Sequence, residues 1–139
     1  MKAIEVTDFP TTDYEPLVDY EGWRVAVLAA CENTTLPKIK TMQKHDLTDE
    51  VFVLIRGNCT LLNGGCDKTP GVMEALKLEP LKVYNVKKGY WHNHILDDEG
   101  VVLIVENQDT CDDNSPIYPL TEAQKAELEK MVSSGVYYI

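Results

Sequence analysis

Apolar residues in this chain come in short runs that alternate with polar ones, and each run ends at a cluster of turn-forming residues. Between Arg24 and Cys31, Val25, Val27 and Ala29 recur with period two, the repeat of a strand with one face buried. Val51 to Ile55 is a continuous apolar run, as a strand buried on both faces would be, and Cys59 to Leu62 follows after Arg56-Gly57-Asn58. That short break predicts a hairpin in which the second run pairs with the first. Val83 to Val86, Tyr90 to Leu96 and Val101 to Glu106 continue the pattern, separated by Lys87-Lys88-Gly89 and Asp97-Asp98-Glu99-Gly100. Turns at such intervals predict an all-β antiparallel barrel or sandwich. Pro70 to Pro80 reads equally as a helical turn or a short strand. From Leu120 the composition changes, and Thr121-Glu122-Ala123-Gln124 has the spacing of a capping box, which predicts a C-terminal helix over about 121–133 packed on the barrel. No repeat divides the 139 residues, so one domain over 1–139 is expected, with its barrel core over about 22–110.

Candidate chemistry falls within that strand pattern. All three histidines lie in two windows, around His45 and at His92 and His94. Asp46 to Asp49 supplies turn formers and Glu50 opens the apolar run, so His45 and Glu50 are expected on adjacent antiparallel strands, facing each other across a turn. Alternation puts Glu50 with Phe52 and Leu54. An unpaired carboxylate facing a barrel interior is costly, so it requires a metal, a cation or a hydrogen bond, unless it ends the strand in water. Period two also puts His92, His94 and Leu96 on one face, with Trp91 and Ile95 on the other. His45, Glu50 and His92 are therefore the candidate ligands of a divalent transition metal (iron, manganese, zinc or nickel), since two imidazoles and a carboxylate suit a non-haem Fe(II) site or a zinc or manganese Lewis acid. Gln43 reads as a weak fourth ligand, a substrate contact or a polar barrel residue. His94 reads as a further ligand or a general base, and a catalytic, substrate-facing role is the favoured one. Tyr84 and Tyr90 are candidate substrate-binding residues, and Glu106 and Arg56 lie on strands that line or flank the barrel.

The residues His45-x4-Glu50-x6-Gly57 resemble the second half of the first cupin motif, and Gly89-x2-His92 resembles the core of the second, with a variable loop from Leu61 to Lys82 between them. Gln43 stands where the first motif carries its first His. Lys87 replaces the usual Pro of the second motif, and Leu96 the Asn that follows its His. The resemblance implies a cupin-type β-barrel, or jelly roll, with an open metal position that serves isomerases, lyases or dioxygenases acting on small sugar-like or oxo-acid metabolites. Behind that first reading stand two alternatives, a non-catalytic module that binds or senses a small ligand, and a structural dimer. Pairing through sheet edges makes a homodimer the expected assembly.

A net charge of −10 disfavours nucleic acid and anionic membrane surfaces as partners, leaving a small-molecule ligand or a second copy. No run approaches the roughly 20 apolar residues of a membrane span, and the first residues lack a secretory apolar core, so a cytoplasmic location is expected. Cys31, Cys59, Cys66 and Cys111 show no C-x2-C spacing and read as reduced thiols, with Cys59 and Cys66 brought near each other if Leu61 to Gly65 turns the chain back. The polar segment 107–115 reads as a solvated connection, with cover over one barrel mouth as the alternative.

Overall fold

The computed structural model describes residues 3–135. In chain order the elements are β1 (Asp13–Tyr20), β2 (Trp23–Ala29), β3 (Thr41–Gln43), β4 (Glu50–Arg56), β5 (Cys59–Asn63), β6 (Glu74–Lys77), β7 (Tyr84–Val86), β8 (His92–Leu96), β9 (Val101–Asn107), β10 (Ile117–Pro119) and α1 (Glu122–Ser134). The strands form two five-stranded sheets, one in the order β1-β2-β9-β4-β7 and the other β10-β3-β8-β5-β6, with every pairing antiparallel. The fold is all-β and antiparallel, two sheets facing each other as a jelly roll, with one C-terminal helix. Strands β1 and β10 extend it beyond the expected core of about 22–110.

Alternation along each strand decides what lies between the sheets. Ala26, Leu28, Phe52, Leu54, Val102 and Ile104 of the first sheet pack with Cys59, Leu61 and Leu96 of the second. Each large aliphatic or aromatic side chain so buried stabilises the fold by roughly 1.5–3 kcal/mol. All four cysteines are free thiols, Cys59 inside this core and Cys66 at the surface.

Two local expectations fail because the chain changes sheets where a hairpin was expected. After β4 it passes through Gly57 into β5, which pairs with β6 and β8 and never with β4. Gly57 has φ +68°, and a Cβ there would lie 2.4 Å from the Glu99 carbonyl carbon, so the crossover needs a glycine. Likewise β3 and β4 belong to different sheets. His45 and Glu50 are therefore not on adjacent strands; His45 lies in the loop that carries the chain from one sheet to the other.

The Pro70 to Pro80 segment is resolved as a strand, β6. Helix α1 starts at a reciprocal cap: the Gln124 amide N–H donates to Thr121 Oγ1 and the Thr121 N–H to Gln124 Oε1, at 3.1 and 3.0 Å. Its Leu128 is buried with Met42, Leu62, Met73, Ala75, Trp91 and Leu120, so the helix covers the outer face of the second sheet. Among the described residues no helix is long and apolar enough to cross a membrane.

Candidate metal centre

Glu50 is the first residue of β4 and faces inward with Phe52 and Leu54, as alternation requires. His92 is the first residue of β8 in the opposite sheet, inward with His94 and Leu96; it pairs with Asn63 on one side and Gln43 on the other. His45 belongs to neither sheet. Its loop is pinned by backbone bonds on both sides, Lys44 N–H to Pro116 O, Asp46 N–H to Asn114 O and Gly89 N–H to His45 O. The three side chains converge and are 8, 7 and 5 % exposed for His45, Glu50 and His92, which removes them from competition with bulk water.

The hydrogen-bond partners fix which ring nitrogens converge. His92 Nδ1 lies 3.0 Å from the Tyr90 carbonyl oxygen, which can only accept, so Nδ1 carries a proton. The Ser115 hydroxyl donates to Asn114 Oδ1 and thus accepts from His45 Nδ1 at 2.6 Å. Both Nε2 atoms then point at one carboxylate oxygen, Glu50 Oε1, at 2.8 Å from His92 and 3.3 Å from His45. One ligand atom from each residue lies within 4.8 Å of the others. Imidazoles anchored through Nδ1 and presenting Nε2, beside a carboxylate, are a donor set that fits a divalent transition metal. Burial pushes the Glu50 carboxyl upward, but hydrogen bonds from both histidines outweigh it and hold the group well below the usual carboxylate range. Burial opposes charge on His45 too, and the bond to Glu50 more than compensates, raising its pKa.

Gln43 lines the same cavity. Its amide nitrogen donates to Ser115 O at 3.0 Å and Asp112 Oδ1 at 3.2 Å, so the group is tied to the segment 107–115 and turns only its oxygen away from those bonds. His94 also lines the cavity, its ring 6.0 Å from that of Phe52. Its Nδ1 is buried without a hydrogen-bond partner, and burial lowers its pKa, keeping the ring neutral. Tyr84 and Tyr90 do not line this cavity. They line a second one of about 430 Å³ between β6 and β7, where the two sheets part.

The His45–Glu50–His92 cavity, about 370 Å³, also contains Glu106, expected to line or flank the barrel, together with Tyr14 and Ser115, which no sequence pattern singles out. Glu106 follows Val102 and Ile104 inward at the end of β9 and accepts a hydrogen bond of 2.7 Å from Tyr14 Oη, with Arg24 Nη1 at 3.8 Å. Burial, then the charge of Glu50, pushes its carboxyl up to about 7. Burial and the bond to Glu106 raise the Tyr14 hydroxyl. Alternation marks Glu106 as inward; nothing in the sequence links Tyr14 or Ser115 to the site. Segment 107–115 is more than a solvated connection, since Thr110, Cys111, Asp112 and Ser115 line this cavity.

No protein-family model matches the sequence, and no curated protein aligns with it. Solved structures share the fold. CapF, determined with the inhibitor 3-isopropenyl-tropolone, superposes with a TM-score of 0.58 at 15% identity, over 84% of this chain and 34% of CapF, so this chain spans about a third of that protein. KdgF from Halomonas sp. gives 0.50 at 10% identity over 72% of this chain and 81% of KdgF. A cupin-2 domain-containing protein from Shewanella frigidimarina gives 0.48 at 19% identity over 70% and 83% of the two chains.

Proposed function

From the premise that the fold is that of the cupins, we propose that His45, Glu50 and His92 hold a divalent transition metal and that the adjoining cavity takes a small polar metabolite, on which the protein acts as an isomerase, lyase or dioxygenase. The convergence of two Nδ1-anchored imidazoles on Glu50 Oε1 carries this reading. A metal bound there supplies Lewis acidity towards a carbonyl or carboxylate oxygen. The surrounding residues do the rest. Ser115 and the Tyr90 carbonyl orient the imidazoles. Gln43 offers a polar contact or a weak further ligand. His94, neutral and with Nδ1 unpartnered, faces the ligand as hydrogen-bond partner and proton carrier. Tyr14 Oη donates a hydrogen bond to Glu106 at the opposite wall. Tyr84 and Tyr90 are assigned to a second ligand-contacting surface beyond β4 and β8. The proposed location remains cytoplasmic.

A second reading rests on the same distances. At 2.8 and 3.3 Å the Nε2 to Oε1 separations are those of hydrogen bonds, so a His–Glu–His hydrogen-bonded cluster without metal, in a non-catalytic ligand-binding barrel, gives the buried Glu50 carboxylate its partners. Elemental analysis of tag-free protein grown with several transition metals separates the two. Near-stoichiometric metal, lost in Glu50→Gln and in His92→Ala while the far-ultraviolet spectrum is unchanged, supports the metal site. Metal absent from the wild type even after reconstitution refutes it and leaves the ligand-binding barrel.

A further inference from the structure

The two sheets part at β6 and β7, each the last strand of its sheet, so neither has a strand on its other side. Between them lies the second cavity, of about 430 Å³, which shares no lining residue with the metal cavity. That volume falls within the roughly 300–1,000 Å³ usual for small-molecule sites. Its walls are apolar and fixed by the core behind them. Leu61 and Leu76 pair across β5 and β6, and Tyr84 and Val86 of β7 pack against the core that holds Leu61. The Glu79 N–H donates to Tyr84 Oη at 2.9 Å, which holds that ring in place. At the rim Val83 is 71 % exposed, and Leu81, two residues earlier, is fully exposed with φ +65°. A leucine in left-handed backbone is strained. The loop between β6 and β7 thus keeps an unfavourable shape that leaves apolar groups bare beside the cleft.

Charge selects the class of ligand. Lys87 lines the cleft, and no carboxylate among the described residues forms an ion pair with it. The acidic groups around it are otherwise engaged. Glu74 accepts from the Asn63 amide at 3.3 Å, Asp49 from Asn85 Nδ2 and the Lys88 N–H at 3.0 and 2.7 Å, and Glu79 pairs with Lys82. Residues 67–88 hold five lysines against three carboxylates, in a chain whose net charge is −10. An anion repelled by most of this protein is therefore drawn to this side. The rings of Tyr84 and Tyr90 both line the cleft and offer faces on which another ring can stack. We propose that the cleft between β6 and β7 is a second binding site, separate from the metal cavity, for a small aromatic carboxylate whose ring lies against Tyr84 and Tyr90 and whose anionic group meets Lys87. Such a site extends the reading of Tyr84 and Tyr90 as ligand contacts and needs no metal.

Heteronuclear NMR titration of the metal-free full chain with cinnamate tests this, with cinnamyl alcohol as the uncharged analogue. Saturable shifts are expected at the amides of Leu76, Tyr84, Val86 and Lys87 while those of His45 and His92 stay in place. Lys87→Met keeps the apolar stem of the side chain and is expected to weaken cinnamate by about fivefold, the upper range for an exposed ion pair, without changing the binding of cinnamyl alcohol. Val83→Asp, which sets a negative charge at the exposed rim, is expected to weaken cinnamate as well. The proposal is overturned if no saturable shift appears at those amides, if the shifts centre on the metal cavity, or if Lys87→Met binds cinnamate as the wild type does. Equal affinity for cinnamate and cinnamyl alcohol overturns the carboxylate assignment. None of these results bears on whether His45, Glu50 and His92 hold a metal, which elemental analysis reads separately.

Discussion

Ser115 places its hydroxyl 2.6 Å from Nδ1 of His45, 70 positions earlier in the chain, and thereby determines which nitrogen of that imidazole faces Glu50. Ser115 is 1 % exposed, which keeps the contact out of bulk water. Removing the hydroxyl in Ser115→Ala frees the ring to rotate and to change tautomer. Metal affinity is expected to fall by about 10–100-fold, the usual cost of losing the anchor of a ligating histidine, at unchanged stoichiometry. Competition titration against a chromophoric chelator measures it; an affinity within twofold of wild type would show that the loop alone orients His45.

Stripped of metal, the protein should be most stable between mildly acid and neutral pH, because Glu50 and the buried, lowered His94 lose their contributions in acid while His45 and Glu106 lose theirs as pH rises. Glu50, held below its ordinary 4.5, contributes stability that is present above that pH and lost on acidification. His45, raised above 6.5, contributes stability that is complete below that value and lost as pH rises through its folded pKa. Glu106, pushed up from 4.5 to about 7, likewise favours the folded state most in acid and loses that contribution as pH climbs towards 7. Thermal melts of chelated protein between acid and mildly alkaline pH should trace a dome. A melting temperature that rises steadily from neutral to alkaline pH would contradict the pairing of these groups.

His94 should trade stability against function. Its Nδ1 is buried and unpartnered, and an unsatisfied buried group of this kind costs about 1–3 kcal/mol. His94→Leu removes that group while preserving packing on Phe52, so an equal or higher melting temperature, full metal content and loss of ligand binding are expected. A sharply lower melting temperature would mean that the imidazole has a structural partner after all.

Gly57→Ala is expected to cost about 2 kcal/mol or more, because the residue has positive φ and its Cβ would press on the Glu99 backbone where the chain changes sheets. Chemical denaturation reads this directly. A variant as stable as wild type would require the 97–100 turn to move aside without loss.

The parts of this molecule legible in the sequence are those encoded by local periodicity. Period two correctly puts Glu50 with Phe52 and His92 with His94, because side-chain alternation does not depend on which strand lies alongside. Thr121 and Gln124 announce the helix, since a cap is satisfied within one turn. Sheet membership is a different matter. Arg56-Gly57-Asn58 looks the same whether it closes a hairpin or carries the chain to the opposite sheet; the choice is made by long-range packing of Leu54 and Cys59 into a common core. The expected pairing of His45 with Glu50 across a turn failed for that reason, although the side chains still meet. Ser115 and Tyr14 were beyond reach of any local pattern, being joined to His45 and Glu106 only by the closed fold. Strand β1, mostly exposed, lacks the apolar alternation by which its neighbours are recognised.

Glu50 is carried by one sheet, His92 by the other and His45 by the loop between them. An ion held by all three would act as a rivet through the sandwich, and its binding free energy would add directly to what keeps the sheets together. At a free concentration one hundred times its dissociation constant it would contribute about 2.7 kcal/mol, a large part of the roughly 5–15 kcal/mol by which a domain is ordinarily folded. Metal supply would then set the lifetime of the polypeptide in the cell, and starvation for the ion would be felt first as turnover of the protein.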